Sequence, residues 1–153
     1  MEYLLPQSID EALSILNSQP NSAVFAGATD LIPQFRGGMT EPGLLVDLKN
    51  IPSLVDLGFS NGTWKIGAAT PVARIKNNAK LTKNFPGLSE ASALIGSDQI
   101  QNRASLGGNV CTASPGADTV PSLMVNEALA VIAANDGSRT IPVNEVITGP
   151  GTN

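Results

Sequence analysis

The sequence predicts an α+β fold: a small α/β lobe over residues 1–52, then a larger lobe of mixed sheet and helices over 53–153. Three observations predict it. The first fifty residues alternate helical and strand patterns, the order that builds a parallel strand pair. After Ile51 the texture changes to hairpins, with turn signals at Asn61-Gly62 and Asp136-Gly137, interleaved with helical segments. The composition is 42% apolar and 14% charged, which a chain needs if it is to pack rather than stay disordered. With aromatics at only 4%, that core must be built mainly from Leu, Ile, Val and Ala.

The elements follow in order. "PQSIDEALSILNSQP" predicts a first helix, with Ser8 as N-cap, Glu11 as its capping-box partner and Ile9, Ala12, Leu13 and Leu16 as the apolar stripe. Pro20 stops it. "AVFAG" predicts a short buried strand ending at Gly27. In "ATDLIPQFRGG", Thr29 or Asp30 caps a short helix that Gly37-Gly38 ends, and "GLLVDLKN" is the next strand. "LVDLGFSNGTWKIGAAT" is a hairpin turning at Asn61-Gly62, and Pro71 opens a helix carrying Val72 and Ile75. "PGLSEASALIG" is a helix ending near Gly96, and "DTVPSLMVNEAL" is another, capped by Asp118 or Thr119. "AVIAANDGSRTIPV" is a second hairpin turning at Asp136-Gly137, and "NEVI" starts a last helical turn. Phe25, Phe35 and Trp64 are expected in the core.

Composition excludes several functions. The net charge is −4 with no basic run, which argues against nucleic acid as a partner. No apolar stretch is long enough for a membrane span, and the N-terminal segment lacks the basic start of a signal peptide. One cysteine, Cys111, permits no intrachain disulfide and fits a cytoplasmic location. With no histidine, His-based triads and His metal sites are excluded, and no metal site is expected. Any cofactor must be held largely by backbone groups and hydroxyls.

Two segments have a design suited to holding one in that way. They are "VFAGATDL", Val24 to Leu31, and "SLGGNV", Ser105 to Val110. Each places glycine and small polar residues directly after apolar ones, and successive free N–H groups in such turns form concave nests for anions. A helix starting near Thr29 would add its free N-terminal N–H groups. Two nests suit a pyrophosphate. Neither segment is a G-x-G-x-x-G or a P-loop. The surrounding stretch "RASLGGNVCTASPGAD" holds little side-chain volume over sixteen residues, as expected where a large ligand lies against backbone.

"AGATDL" resembles the A-G-G-T-D-L signature of the FAD-binding subunits of molybdenum hydroxylases, the xanthine dehydrogenase and carbon monoxide dehydrogenase medium-subunit family. "ASLGGNVCTASPGADTVPSLM" resembles that family's second signature, and "PQSIDEAL" and "WKIGAAT" also fit its pattern. The motifs cover nearly the whole chain in order. The resemblance implies a fold of the p-cresol methylhydroxylase/vanillyl-alcohol oxidase type and a flavoprotein that binds FAD.

Site residues follow position by position. Val24, Phe25, Ala26, Gly27, Ala28, Thr29, Asp30 and Leu31 match the first pyrophosphate loop, where the amides from Ala26 to Thr29 would hold phosphate oxygens. Ala28 replaces the commoner second glycine, which is tolerable if its φ is negative. Ser105, Leu106, Gly107, Gly108 and Asn109 match the second loop, with a hydroxyl from Ser105, an amide from Gly108 and a side-chain amide from Asn109. Asp118 matches an acceptor for flavin-chain or ribose hydroxyls, Ile95 an apolar position near the adenine, and Cys111 a packing position along the cofactor. Plainer roles stand beside these: Asp118 as a helix cap alone, Asn109 as a loop tie, Asp30 as a helix-start charge, Arg103 as a surface residue.

By the same resemblance, a partner large subunit carries molybdopterin and a small subunit carries two [2Fe–2S] clusters. Electrons pass from the clusters through FAD to NAD⁺, a quinone or oxygen. No catalytic residue is expected from this chain, and without histidine the flavin is non-covalent. The family's C-terminal domain, which follows this stretch in its members, is absent from these 153 residues. The alternative is a scaffold domain of the same fold that holds no FAD in this form.

Overall fold

Three parallel strands organise the first part of the chain. The computed structural model describes residues 2–153. Strands β1 (Glu2–Leu4), β2 (Ser22–Phe25) and β3 (Leu44–Asp47) lie in the order β1-β3-β2, all parallel. β1 adds to the expected elements; three residues are too few to show an alternation. β3 is buried along its whole length, as a central parallel strand covered on both faces should be. β2 departs from the expected buried strand: it is an edge strand, and Val24 is 46% exposed.

Helix α1 (Ile9–Ser18) connects β1 to β2. Glu11 N–H donates to Ser8 Oγ at 3.1 Å, and the Glu11 carboxylate accepts from the Gln7 N–H at 2.7 Å, one residue before the position a capping box uses. Helix α2 (Leu31–Arg36) connects β2 to β3 and ends at Gly37, with Gly38 at φ +69°. The parallel connections require these helices, because a strand must be carried back before it can pair in the same direction.

The rest of the chain is helices flanked by two antiparallel hairpins. Short α3 (Pro52–Val55) leads to β4 (Leu57–Ser60) and β5 (Thr63–Ile66), joined by Asn61 and Gly62 at φ +51° and +79°. Both turn residues take the positive φ that a tight hairpin turn demands. Then come α4 (Val72–Lys76), α5 (Ala79–Asn84), α6 (Pro86–Leu94), α7 (Asp98–Gln101), α8 (Leu106–Cys111) and α9 (Thr119–Val125). Strands β6 (Leu129–Ala134) and β7 (Gly137–Pro142) form the second hairpin, and Val143–Glu145 is a final 3-10 turn. The hairpin turns at Asn135-Asp136, one residue before the expected place, because Gly137 already pairs with Ala134.

The core of this part is aliphatic. Ile75, Leu81, Leu88, Leu106, Val110, Val120, Leu123 and Val143 pack into one cluster, with Trp64 and Ile66 of β5 against its side. Ile75 and Leu81 are fully buried, each side chain stabilising by about 1.5–3 kcal/mol relative to exposure. Trp64 meets the expectation of a core aromatic, but Phe35 is 37% exposed on α2 and Phe25 is only half-buried. Among the described residues no helix is long and apolar enough to cross a membrane.

Candidate functional site

A groove of about 630 Å³ runs beyond the carboxyl end of β2 and along α8. Open sheets with parallel strands place ligands outside the carboxyl ends of those strands, where loops are free to vary. One wall is continuous backbone from Val24 to Leu31. The other comes from Ser105, Gly108, Asn109, Cys111, Thr112 and the segment Ser114 to Asp118, with Ile95 and Ile100 at one end. Fourteen of the sixteen site candidates line the groove. Leu106 and Gly107 do not: Leu106 is buried in the aliphatic cluster, and Gly107 faces the chain at Ala68.

The first wall is rich in free donors. The N–H groups of Gly27, Ala28, Thr29, Asp30 and Leu31 have no acceptor among the described residues. Ala28 sits at φ +59°, which corrects the expectation of a negative φ. Left-handed backbone costs a residue with a Cβ about 1–2 kcal/mol, and a left-handed residue in a turn is one of the conformations from which anion-binding nests of N–H groups are built. Gly27 is needed for a reason other than ligand access. A Cβ there would lie 2.2 Å from the Arg103 carbonyl oxygen and 2.9 Å from Ala104 Cα. The missing side chain lets the two glycine segments meet, and so brings both walls together.

The second wall differs more from its expected form. The stretch is a helix, α8, where a turn with a nest of free amides was expected. Its leading amides are already used: Leu106 N–H donates to Thr70 O (3.1 Å), Gly107 N–H to Ala68 O (2.8 Å), Gly108 N–H to Ser105 Oγ (3.1 Å) and Asn109 N–H to Ser105 O (3.0 Å). Gly108 therefore has no free amide to offer, while Ser105 keeps its hydroxyl proton and a backbone N–H that has no acceptor among the described residues. The two glycines serve different faces. Gly107 lets α8 press on Ala68, whose Cβ would be 2.6 Å from a side chain there, while Gly108 keeps the groove side bare.

Side chains complete the wall. Asn109 Oδ1 accepts from the Thr119 N–H at 3.2 Å and from its hydroxyl at 2.6 Å, so Asn109 caps α9. Its amide donors then remain for the groove. Asp118 occupies the N-cap position of α9 but makes no capping bond, which corrects the cap expectation and leaves an exposed carboxylate on the groove wall. Asp30 likewise makes no capping bond; its carboxylate accepts from the Thr112 hydroxyl at 3.0 Å, a tie across the groove. Cys111 is exposed at the groove, yet the protein atoms around its sulfur partly desolvate it and push the thiol above its ordinary pKa, so the thiol stays protonated and weakly nucleophilic. Arg103 is exposed and does not line the groove.

A cluster under the first wall escaped the sequence reading. Lys49 Nζ donates to Ala26 O at 2.9 Å and to both oxygens of Asp47 at 2.8 and 2.7 Å, and it lies 4.7 Å from the Phe25 ring centroid. The Tyr3 hydroxyl also donates to Asp47. Burial alone would raise the Asp47 pKa, but the bonds from Lys49 and Tyr3 outweigh it and hold the carboxyl below its usual range. The same bond to Asp47 raises the Tyr3 pKa. Lys49 reaches a carbonyl 23 residues away, so no local pattern marks it. Thr112, Ser114, Gly116 and Ala117 also line the groove without having been singled out, although the small-residue stretch they belong to was the signal that marked this wall.

The family model described as the FAD binding domain in molybdopterin dehydrogenase matches residues 1–153. The chain belongs to this family. The alpha subunit of the 6-hydroxypseudooxynicotine dehydrogenase complex of Paenarthrobacter nicotinovorans is 33% identical over 147 residues, 95% of this chain and 50% of that protein. The nicotinate dehydrogenase FAD-subunit of Eubacterium barkeri is 27% identical over 152 residues, 98% of this chain and 51% of its own length. A chain of the carbon monoxide dehydrogenase of Hydrogenophaga pseudoflava superposes with a TM-score of 0.96 at 28% identity, covering 100% of this chain and 54% of that one. This FAD-binding domain thus has the expected α+β fold, and it spans about half the length of the curated relatives it matches.

Proposed function

We propose that the groove binds FAD non-covalently and that the chain is the FAD-binding part of an electron-transfer subunit in a molybdenum hydroxylase. The observation that carries this reading is the row of five consecutive N–H groups, Gly27 to Leu31, left without an acceptor among the described residues, in a chain of the FAD-binding family. A pyrophosphate needs such donors, and unpaired amides are costly unless water or a ligand satisfies them. The donor set fits the group. Residues Gly27 to Leu31 would hold the phosphates, the Asn109 amide and the Ser105 hydroxyl would donate from the facing wall, and the Asp118 carboxylate would accept from a sugar or ribityl hydroxyl. Ile95 and Ile100 offer an apolar end for the adenine. Val24, Phe25, Ala26, Gly108 and Cys111 would pack along the cofactor.

When bound, the flavin supplies the redox chemistry, carrying electrons from the [2Fe–2S] clusters of a small subunit to NAD⁺, a quinone or oxygen. This chain's own residues bind, orient and exclude water; none is asked to move a proton. Molybdopterin belongs to a large partner subunit; names such as that of the nicotinate dehydrogenase FAD-subunit support a multi-subunit assembly, and the single cysteine fits a cytoplasmic one.

The test is an FAD titration read by flavin fluorescence, coupled to alkylation of the single thiol. Saturable quenching is expected, together with slower alkylation of Cys111, which lies on the groove wall. Cys111→Trp should keep the fold, since the residue is exposed, and lose the response. A folded wild-type chain that neither quenches flavin nor gains protection would reject the reading and favour a scaffold role.

A further inference from the structure

We infer that Lys49 is a positioning residue that holds the phosphate-binding backbone in its receptive orientation, locking the peptide between Ala26 and Gly27. This inference rests on the FAD reading of the groove. A peptide plane carries its carbonyl and its N–H on opposite sides, so fixing one direction fixes the other. Lys49, which does not line the groove, holds the Ala26 carbonyl from its Nζ at 2.9 Å. The Gly27 N–H, first of the unpaired row, then faces the opposite way. The Ala26 carbonyl has no other hydrogen-bond partner among the described residues, and Gly27 has no Cβ to fix the direction of the plane in its place. A turned plane would aim a carbonyl dipole at the phosphates and remove one donor.

The lysine is itself anchored. Asp47 grips it with both oxygens and is only 2% exposed, while the Tyr3 hydroxyl holds Asp47 from β1. Asp47 is paired opposite Phe25 in the β2–β3 register, which places the anchor at the strand end from which the loop departs. The Phe25 ring flanks the ammonium at 4.7 Å. Two strands and a ring thus point a single donor at one carbonyl, a bond that the strand pairing itself does not need. A charge meant only to attract phosphate would face the groove. This one is spent on Asp47 and Ala26, and Lys49 is not part of the groove wall.

The experiment compares wild type, Lys49→Met, Lys49→Arg and Tyr3→Phe in the full chain. It reads thermal midpoint, FAD affinity and the backbone resonances of Ala26 and Gly27 without ligand. Lys49→Met should weaken FAD by about tenfold, the loss of one well-placed donor. Its Gly27 amide and Ala26 carbonyl signals should broaden or split, while signals of β6 and β7 stay in place. Lys49→Arg should recover most of the affinity, because it keeps a donor toward Ala26. Tyr3→Phe loosens the anchor and should show the same changes more weakly, which keeps the test open if Lys49→Met does not fold. A folded Lys49→Met chain with wild-type affinity and unchanged Ala26 and Gly27 signals would overturn the inference. If wild type takes no FAD, the groove reading fails separately, and the resonances alone decide on the lock.

Discussion

Ala28 shows how one side chain can oppose its own backbone. It holds φ +59° where a glycine would be relaxed, in the middle of the donor row. The strain persists because Gly27, pressed on Arg103 and Ala104, and the hydrogen bond from Ile32 N–H to Ala28 O fix the turn on either side. Ala28→Gly should therefore stabilise the fold by about 0.5–1 kcal/mol, the relief of left-handed strain less the greater freedom of glycine when unfolded. Thermal or denaturant unfolding measures it, and an unchanged or lower midpoint would show that the strain is already relaxed. Gly27 has no such freedom to change. The oxygen that a Cβ at Gly27 would meet at 2.2 Å is backbone, which cannot rotate away.

Helices α8 and α9 depend on each other through Asn109. Thr119 is fully buried, and the side-chain Oδ1 of Asn109 accepts from both its N–H and its hydroxyl. Asn109→Ala should cost about 1–3 kcal/mol, since it strands two donors in the interior, and hydrogen exchange should rise first at the start of α9. Asn109→Asp separates the two duties of this residue. The acceptor toward Thr119 survives, so stability should be largely retained. The groove loses an amide donor and gains a negative charge, so FAD affinity should fall. Equal affinity in the Asp and Asn forms would mean that Asn109 serves α9 alone.

Asp47 links the parallel sheet to the acid stability of the molecule. Its carboxyl lies below the ordinary range when folded, chiefly through Lys49 and Tyr3, against the opposing effect of burial. A depressed folded pKa contributes stability that is fully present above the unfolded pKa and drains as pH falls through the folded one. The midpoint of thermal unfolding should then fall on the acid side of the usual carboxylate range. Asp47→Asn should start lower at neutral pH and descend less steeply. Parallel acid limbs for the two proteins would remove Asp47 from the account.

The elements were legible in the sequence wherever a local rule decides them. Ser8 and Glu11 marked α1, Asn61-Gly62 marked the first hairpin, and Pro71 marked α4, because caps and turns are set by residues adjacent in the chain. The fold family and the small-residue stretch that forms the groove were legible for the same reason, through contiguous motifs. What only the tertiary structure decided depends on partners distant in sequence. The glycines of the second motif looked like an open nest, yet α8 consumes its own leading amides on Thr70, Ala68 and Ser105. Gly27 looked like access for a ligand and proved to be the contact between two walls. The roles of Lys49, Asp47 and Tyr3 arise where strand ends from three parts of the chain converge. Local patterns state which conformations a segment prefers; which of its donors remain free is settled only when the rest of the chain has packed against it.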